Sequence, residues 1–235
     1  MDDAQTRRLA LLAMLWLAYF VLHSLLASLT MKSWVARHFP HQVPAYRLCF
    51  NMLSTLTLLP ILWLMFRQPG PSLWAWTGAG FWLANGLALA ALAGFVRSAR
   101  YYDTSEFIGL RQWKSATHSI EDQESLRISP FHRHVRHPWY ALGLILLWTR
   151  DMNAALLLSA VLLTAYLFIG AHLEEQKLIA RYGEAYRHYM QRVPGLIPLP
   201  WKSLSAEEAA ELVAEAERHS GACVTSERYN RLFDR

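Results

Sequence analysis

Apolar stretches of membrane-spanning length constrain this chain more than any other feature. Leu9 to Thr30, Leu48 to Phe66 and Leu73 to Val96 each supply about the 20 residues a helix needs to cross a hydrocarbon core. A fourth apolar region is split. Trp139 to Trp148 is short, residues 149–152 interrupt it, and Asn153 to Leu173 is again of spanning length. Composition agrees: 54% of residues are hydrophobic and 17% charged, against roughly 45–50% and 25% in soluble domains. That balance excludes an ordinary soluble globule and a disordered chain. Two cysteines, Cys49 and Cys223, are too few for a disulfide scaffold.

The expected fold is an all-α integral membrane protein with about five transmembrane helices, near 9–30, 48–66, 73–96, 131–149 and 152–173. The last two form a tight C-terminal hairpin. Its first arm is too short to span upright, so it either gains length from residues 131–138 or sits low in the bilayer. The first segment exceeds the apolar core of a cleavable signal peptide and is expected to stay in the mature protein. Gly78, Gly80, Gly86 and Gly94 in the third helix read as close helix packing.

The formal charge of +5 does not point to nucleic acid, because the basic residues flank the apolar runs. Arg97 to His137 holds seven Lys and Arg, and His172 to the C-terminus holds nine. The positive-inside rule then places the C-terminus in the cytoplasm, with the bacterial inner membrane as the expected location. Residues 1–200 are expected to form the membrane domain and 201–235 an acidic tail. Ser205 followed by Glu208 has the capping-box spacing, which predicts a short, weakly docked helix there.

Two stretches carry chemistry. Arg136-His137-Pro138-Trp139-Tyr140 opens the hairpin, and proline in a first helical turn costs nothing. Arg136 and His137 thus sit at a positive helix mouth, which could hold a carboxylate or phosphate, although this stretch taken alone reads first as interfacial anchoring. At the other end lie Glu174 and Glu175, then Tyr182, Gly183, Tyr186 and Tyr189. Carboxylates at a helix C-terminus need compensation. A hairpin brings its ends together, so Arg136 and His137 are expected beside Glu174 and Glu175. In the spanning helices, His23, Ser24 and Asn51 either line an acceptor pocket or make interhelical hydrogen bonds. His118, His132, His134 and His137 lack a cysteine partner, and no metal is expected.

The combination Arg136-His137-Pro138-x-Tyr140, a spanning hairpin, Glu174-Glu175, Gly183-x-x-Tyr186-x-x-Tyr189 and Pro198 resembles the C-terminal half of the isoprenylcysteine carboxyl methyltransferase superfamily. His23-Ser24, Tyr46-Arg47, Asn51, Ser54 and Phe107-x-Gly109-Leu110 are similar to its nurim-like branch, which includes methanethiol S-methyltransferases, nurim and membrane proteins named for nitrite and nitric-oxide reductase clusters. The chain departs from the superfamily at Leu142, where glycine is frequent. The resemblance implies S-adenosylmethionine as cofactor, held by Arg136, His137, Tyr140, Glu174, Glu175, Tyr186 and Tyr189. It implies catalytic roles for His137 and Glu175, and a small or lipophilic thiol as acceptor near His23, Ser24 and Asn51. Alternatives are a carboxyl or phospholipid methyltransferase, an NADPH-dependent membrane reductase, and a non-enzymatic nurim-like protein. The reductase would need a cationic cluster, for which Arg97, Arg100, Arg111 and Lys114 are the candidates.

Overall fold

The computed structural model describes residues 2–101, 103–115 and 126–224, with side chains through residue 218. It is an all-α integral membrane protein. The helices are α1 (Asp3–Ala27), α2 (Leu29–His38), α3 (Tyr46–Arg67), α4 (Gly78–Ser98), α5 (Thr104–Ile108), α6 (Leu110–Lys114), α7 (Pro138–Trp148), α8 (Ala154–Tyr182), α9 (Glu184–Arg192) and α10 (Ala206–Val224). Two short strands, β1 (Ser72–Trp74) and β2 (Met152–Asn153), pair antiparallel. Of the described residues, those up to 115 with 146–166 form one compact unit, and 126–145 with 167–224 a second.

In the first unit, α1 starts where the Asp2 side chain accepts from the Gln5 amide at 2.6 Å. It ends at Ser28, whose hydroxyl caps α2 through the Met31 amide. Leu12, Trp16 and Phe20 of α1 pack with Ile61, Leu64 and Met65 of α3 and with Ala155. Many other large apolar side chains on the spanning helices face outward, among them Val21, Phe66, Trp82 and Leu89, as expected where the surrounding solvent is lipid. Inside, a polar pair ties α1 to α8: Trp16 Nε1 donates to Ser159 Oγ at 2.8 Å.

Four helical segments are long and apolar enough to cross a membrane: Asp3–Ala27, Pro40–Arg67, Gly78–Tyr101 and Ala154–Tyr182. The expected fifth, 131–149, is corrected to the 11 residues of α7. At 1.5 Å per residue these reach about 16 Å, roughly half a hydrocarbon core. Extension towards the N-terminus is opposed by Pro138, which disfavours helical backbone at His137, and residues 131–134 form a turn instead. The third helix starts at Gly78 rather than 73, because Ser72 and Trp74 pair with Asn153 and Met152. The turn closing the hairpin is fixed in the same place, where Asp151 Oδ1 accepts from the Trp76 amide at 2.9 Å.

Gly109 explains how the loop after α4 is held. It has φ +91, and a Cβ there would lie 2.6 Å from the Leu48 nitrogen. Only glycine permits so close an approach in this conformation. Asn51 Nδ2 donates to the Phe107 carbonyl at 3.1 Å, fastening the same loop to α3.

In the second unit, α8 continues through Glu174 and Glu175 to Tyr182, where Gly183 at φ +58 breaks it from α9. The carboxylates therefore sit inside a helix, and the expected conflict with a helix C-terminus does not arise. Tyr182, Tyr186 and Tyr189 are split between two helices yet share one core with Val193, Leu204, Ala209 and Ala216. The capping box forms as its spacing implies: Ser205 Oγ accepts from the Glu208 amide at 3.1 Å, and Glu208 Oε2 accepts from the Ser205 amide at 2.7 Å. Through Ala209, Leu212 and Ala216, α10 packs on α9, and Arg192 pairs with Glu208 at 2.6 Å.

Candidate functional site

Glu175 is the hub of a buried charged cluster in the second unit. Its Oε1 accepts from Arg136 Nε at 2.8 Å, from Arg136 Nη2 at 2.8 Å and from His137 Nε2 at 3.0 Å. A carboxylate only accepts, so His137 Nε2 carries a proton and Nδ1 is the ring's second site. His137 Nδ1 lies 3.6 Å from Glu174 Oε2. The side chains of Arg136, His137 and Glu175 are 10%, 7% and 8% exposed, whereas that of Glu174 is 50% exposed. Adjacent residues on a helix point about 100° apart, which separates the two glutamates into one locked and one open carboxylate.

The backbone reinforces this arrangement. Arg136 Nη1 donates to the carbonyls of Met190, at 3.1 Å, and Val193. The amides of Arg136 and His137 donate to the Pro194 and Gly195 oxygens at 2.8 and 3.0 Å. Both residues are thus held by side chain and main chain against the strap that follows α9. A Cβ at Gly195 would meet Arg136 Nη2 at 3.3 Å, so a larger residue there would require the guanidinium to give by a few tenths of an ångström.

Aromatic groups surround the cluster in two ways. The Tyr140 ring stacks on His137, with centroids 5.4 Å apart and planes 8° from parallel. Tyr186 and Tyr189 meet edge to face at 5.6 Å, are each 2% exposed, and support the cluster from the core. Tyr189 OH donates to the His132 carbonyl at 2.7 Å, so its hydroxyl already has a partner. Burial first, and the neighbouring Glu175 charge second, push the Tyr186 phenol up. His132, whose Nδ1 lies 2.7 Å from Ser129 Oγ, is held down to about 4 by burial and by His137.

The remaining expected site residues fall in the first unit. The Tyr166 hydroxyl oxygen lies 2.8 Å from His23 Nδ1 and 3.0 Å from Ser24 Oγ. The His23 ring also packs against Tyr19 and Phe50. Tyr166 carries no motif and escapes a reading of the sequence, as do the backbone carbonyls that hold Arg136. Asn51 is not among the partners of this group and serves the Phe107 carbonyl. In the candidate cationic cluster, Arg111 is already bonded to Asp103 and Glu106 at 3.3 and 3.0 Å. His118 lies outside the described residues.

The helices define a polytopic membrane protein, and the buried Arg–His–Glu cluster is its candidate site. The chain is 34% identical over 183 residues to methanethiol S-methyltransferase 2 of Bradyrhizobium diazoefficiens, covering 77% of this chain and 69% of that one. It is 34% identical to methanethiol S-methyltransferase of Pseudomonas sp. GM41, covering 75% and 68%. It is 29% identical to the protein of the same name from Mycobacterium tuberculosis, covering 77% and 75%. No family model and no solved structure matches. The chain belongs to the methanethiol S-methyltransferase family.

Proposed function

We propose that the protein transfers a methyl group from S-adenosylmethionine to a small thiol, methanethiol or a near relative, in a bacterial inner membrane with its C-terminus in the cytoplasm. Membership of a family whose relatives bear that activity in their names supports the reaction. The single observation that carries the site is the Arg136–Glu175–His137 cluster, a set of charges whose burial is costly unless every partner is in place, as it is here.

The donor set fits the proposed cofactor. Its amino-acid end bears an ammonium and a carboxylate, and when bound it supplies an electrophilic methyl on a sulfonium. Glu174, half exposed beside the cluster, suits the ammonium. The positive end of α7 suits the carboxylate. The Tyr140 face suits a sulfonium cation. Tyr186 and Tyr189 are too buried to line a ligand surface, and we assign them to supporting Arg136 and the strap.

His137 has the geometry of a proton acceptor. Glu175 fixes the proton on Nε2, so Nδ1 is left to take the thiol proton, and Glu174 3.6 Å away stabilises the resulting imidazolium. Glu175 orients His137 rather than reacting, because its Oε1 already serves three donors. In the first unit, His23, Ser24 and Tyr166 form a polar, aromatic-walled group inside apolar helices and are assigned to the acceptor.

Calorimetric titration of S-adenosylmethionine and its demethylated product into detergent-purified protein tests the reading, with NADPH as comparator. Saturable binding of the first pair, weakened in Glu174→Gln by about 1.5–3 kcal/mol, the scale of a charged hydrogen bond, is expected. Binding of NADPH alone would overturn it.

A further inference from the structure

The segment after α9 does more than hold Arg136. Its two ends are pinned. Pro194 and Gly195 accept from the amides of Arg136 and His137, and Leu204 bonds twice to Arg133: its amide donates to the Arg133 carbonyl and its carbonyl accepts from Arg133 Nε. Between the pins, Leu196 is buried, and the tip that follows is Ile197-Pro198-Leu199-Pro200-Trp201. It contains no charged or hydrogen-bonding side chain apart from the Trp201 indole. Ile197 is 63% exposed and Trp201 76%, among the most exposed large apolar side chains of this unit. Lys202 follows, also exposed.

The level of this tip relative to the bilayer is set by its own anchors. Pro138, next to the anchored His137, is the first residue of the apolar helix α7. Glu175, bonded to both Arg136 and His137, lies just beyond Leu173, an exposed apolar residue of the spanning helix α8. The pinned ends of the strap therefore sit at the boundary where both apolar helical surfaces give way to charge. A water-facing loop at that level has no reason to expose only Ile, Leu, Pro and Trp, whereas Trp next to Lys is the composition of the headgroup region.

We propose that residues 197–201 insert into the headgroup–acyl boundary of the bilayer that α8 spans, with Trp201 and Ile197 as anchors. The strap then ties the backbone that fixes Arg136 and His137 to the lipid surface, at the depth where a lipophilic small molecule partitions. The inference rests on the membrane-spanning helices and does not depend on the methyltransferase reading.

The test uses the full chain with Cys49→Ser and Cys223→Ser, reconstituted in phosphatidylethanolamine–phosphatidylglycerol vesicles. An environment-sensitive fluorophore is attached through Trp201→Cys or, independently, Ile197→Cys, with Glu211→Cys on exposed α10 as the aqueous reference. Expected are blue-shifted emission at 197 and 201, severalfold stronger quenching by lipids spin-labelled near the headgroup than by aqueous iodide, and the reverse at 211. Iodide quenching at 197 and 201 equal to that at 211, with none from lipid, would overturn the proposal. Protection that grows with protein-to-lipid ratio and ignores the lipid quencher would overturn it too, by showing a second copy as the occupant.

Discussion

Arg136 and Glu175 should behave as one energetic unit. Glu175 Oε1 receives two bonds of 2.8 Å from the guanidinium, and both side chains are at most 10% exposed. Replacing Arg136 by Met leaves the Glu175 carboxylate buried with His137 alone and removes the donor from the Met190 and Val193 carbonyls. Breaking a buried pair from one side costs about 3–5 kcal/mol. Glu175→Gln keeps an acceptor oxygen but removes the charge, for which about 2–3 kcal/mol is expected from the charge-assisted bonds lost. The double variant buries neither charge, so it should be less destabilised than the sum of the singles by about 2 kcal/mol. Reversible unfolding in mixed dodecyl maltoside–SDS micelles measures all four proteins. Additivity within about 0.5 kcal/mol would refute the coupling.

Three further outcomes follow from particular contacts. His132 is neutral in the fold, with its ordinary value of 6.5 lowered to about 4. Below pH 6.5 the unfolded chain binds the proton more readily, so the contribution is complete above that pH and is lost as pH falls towards 4. The loss is at most about 3–4 kcal/mol, and unfolding of His132→Gln measured across that window should show a flatter profile. Gly109→Ala should destabilise by about 2 kcal/mol or more, since φ +91 and a 2.6 Å approach to the Leu48 nitrogen both oppose a Cβ; thermal unfolding reads it. Tyr166→Phe removes the hydroxyl shared by His23 and Ser24. It should raise KM for the thiol severalfold and leave S-adenosylmethionine affinity unchanged in calorimetry.

Much of this was readable in the sequence because bilayers impose length. The runs near 9–30, 48–66 and 152–173 appear as helices, since nothing else hides their backbone polar groups in lipid. The meeting of Arg136 and His137 with Glu175 followed from the hairpin alone. What was not readable depends on three-dimensional detail. The difference between Glu174 and Glu175 arises from helical phase that adjacent letters do not reveal. The brevity of α7 was marked by Pro138, but the backbone just before it is held by hydrogen bonds to a strap much later in the chain. Tyr189 donates its hydroxyl to the His132 backbone, a contact 57 positions back that no local pattern announces. Tyr166 meets His23 across 143 positions, a pairing with no local signature.

Methyl transfer to a thiol by this buried cluster is tested most directly by incubating the purified, reconstituted protein with methanethiol and S-adenosylmethionine bearing a deuterated methyl, and analysing the volatile sulfide by mass spectrometry. Dimethyl sulfide carrying one deuterated methyl is expected, with the product strongly reduced by His137→Ala in protein that still unfolds cooperatively. Absence of labelled sulfide from the folded wild-type protein, or full production by His137→Ala, would contradict that assignment.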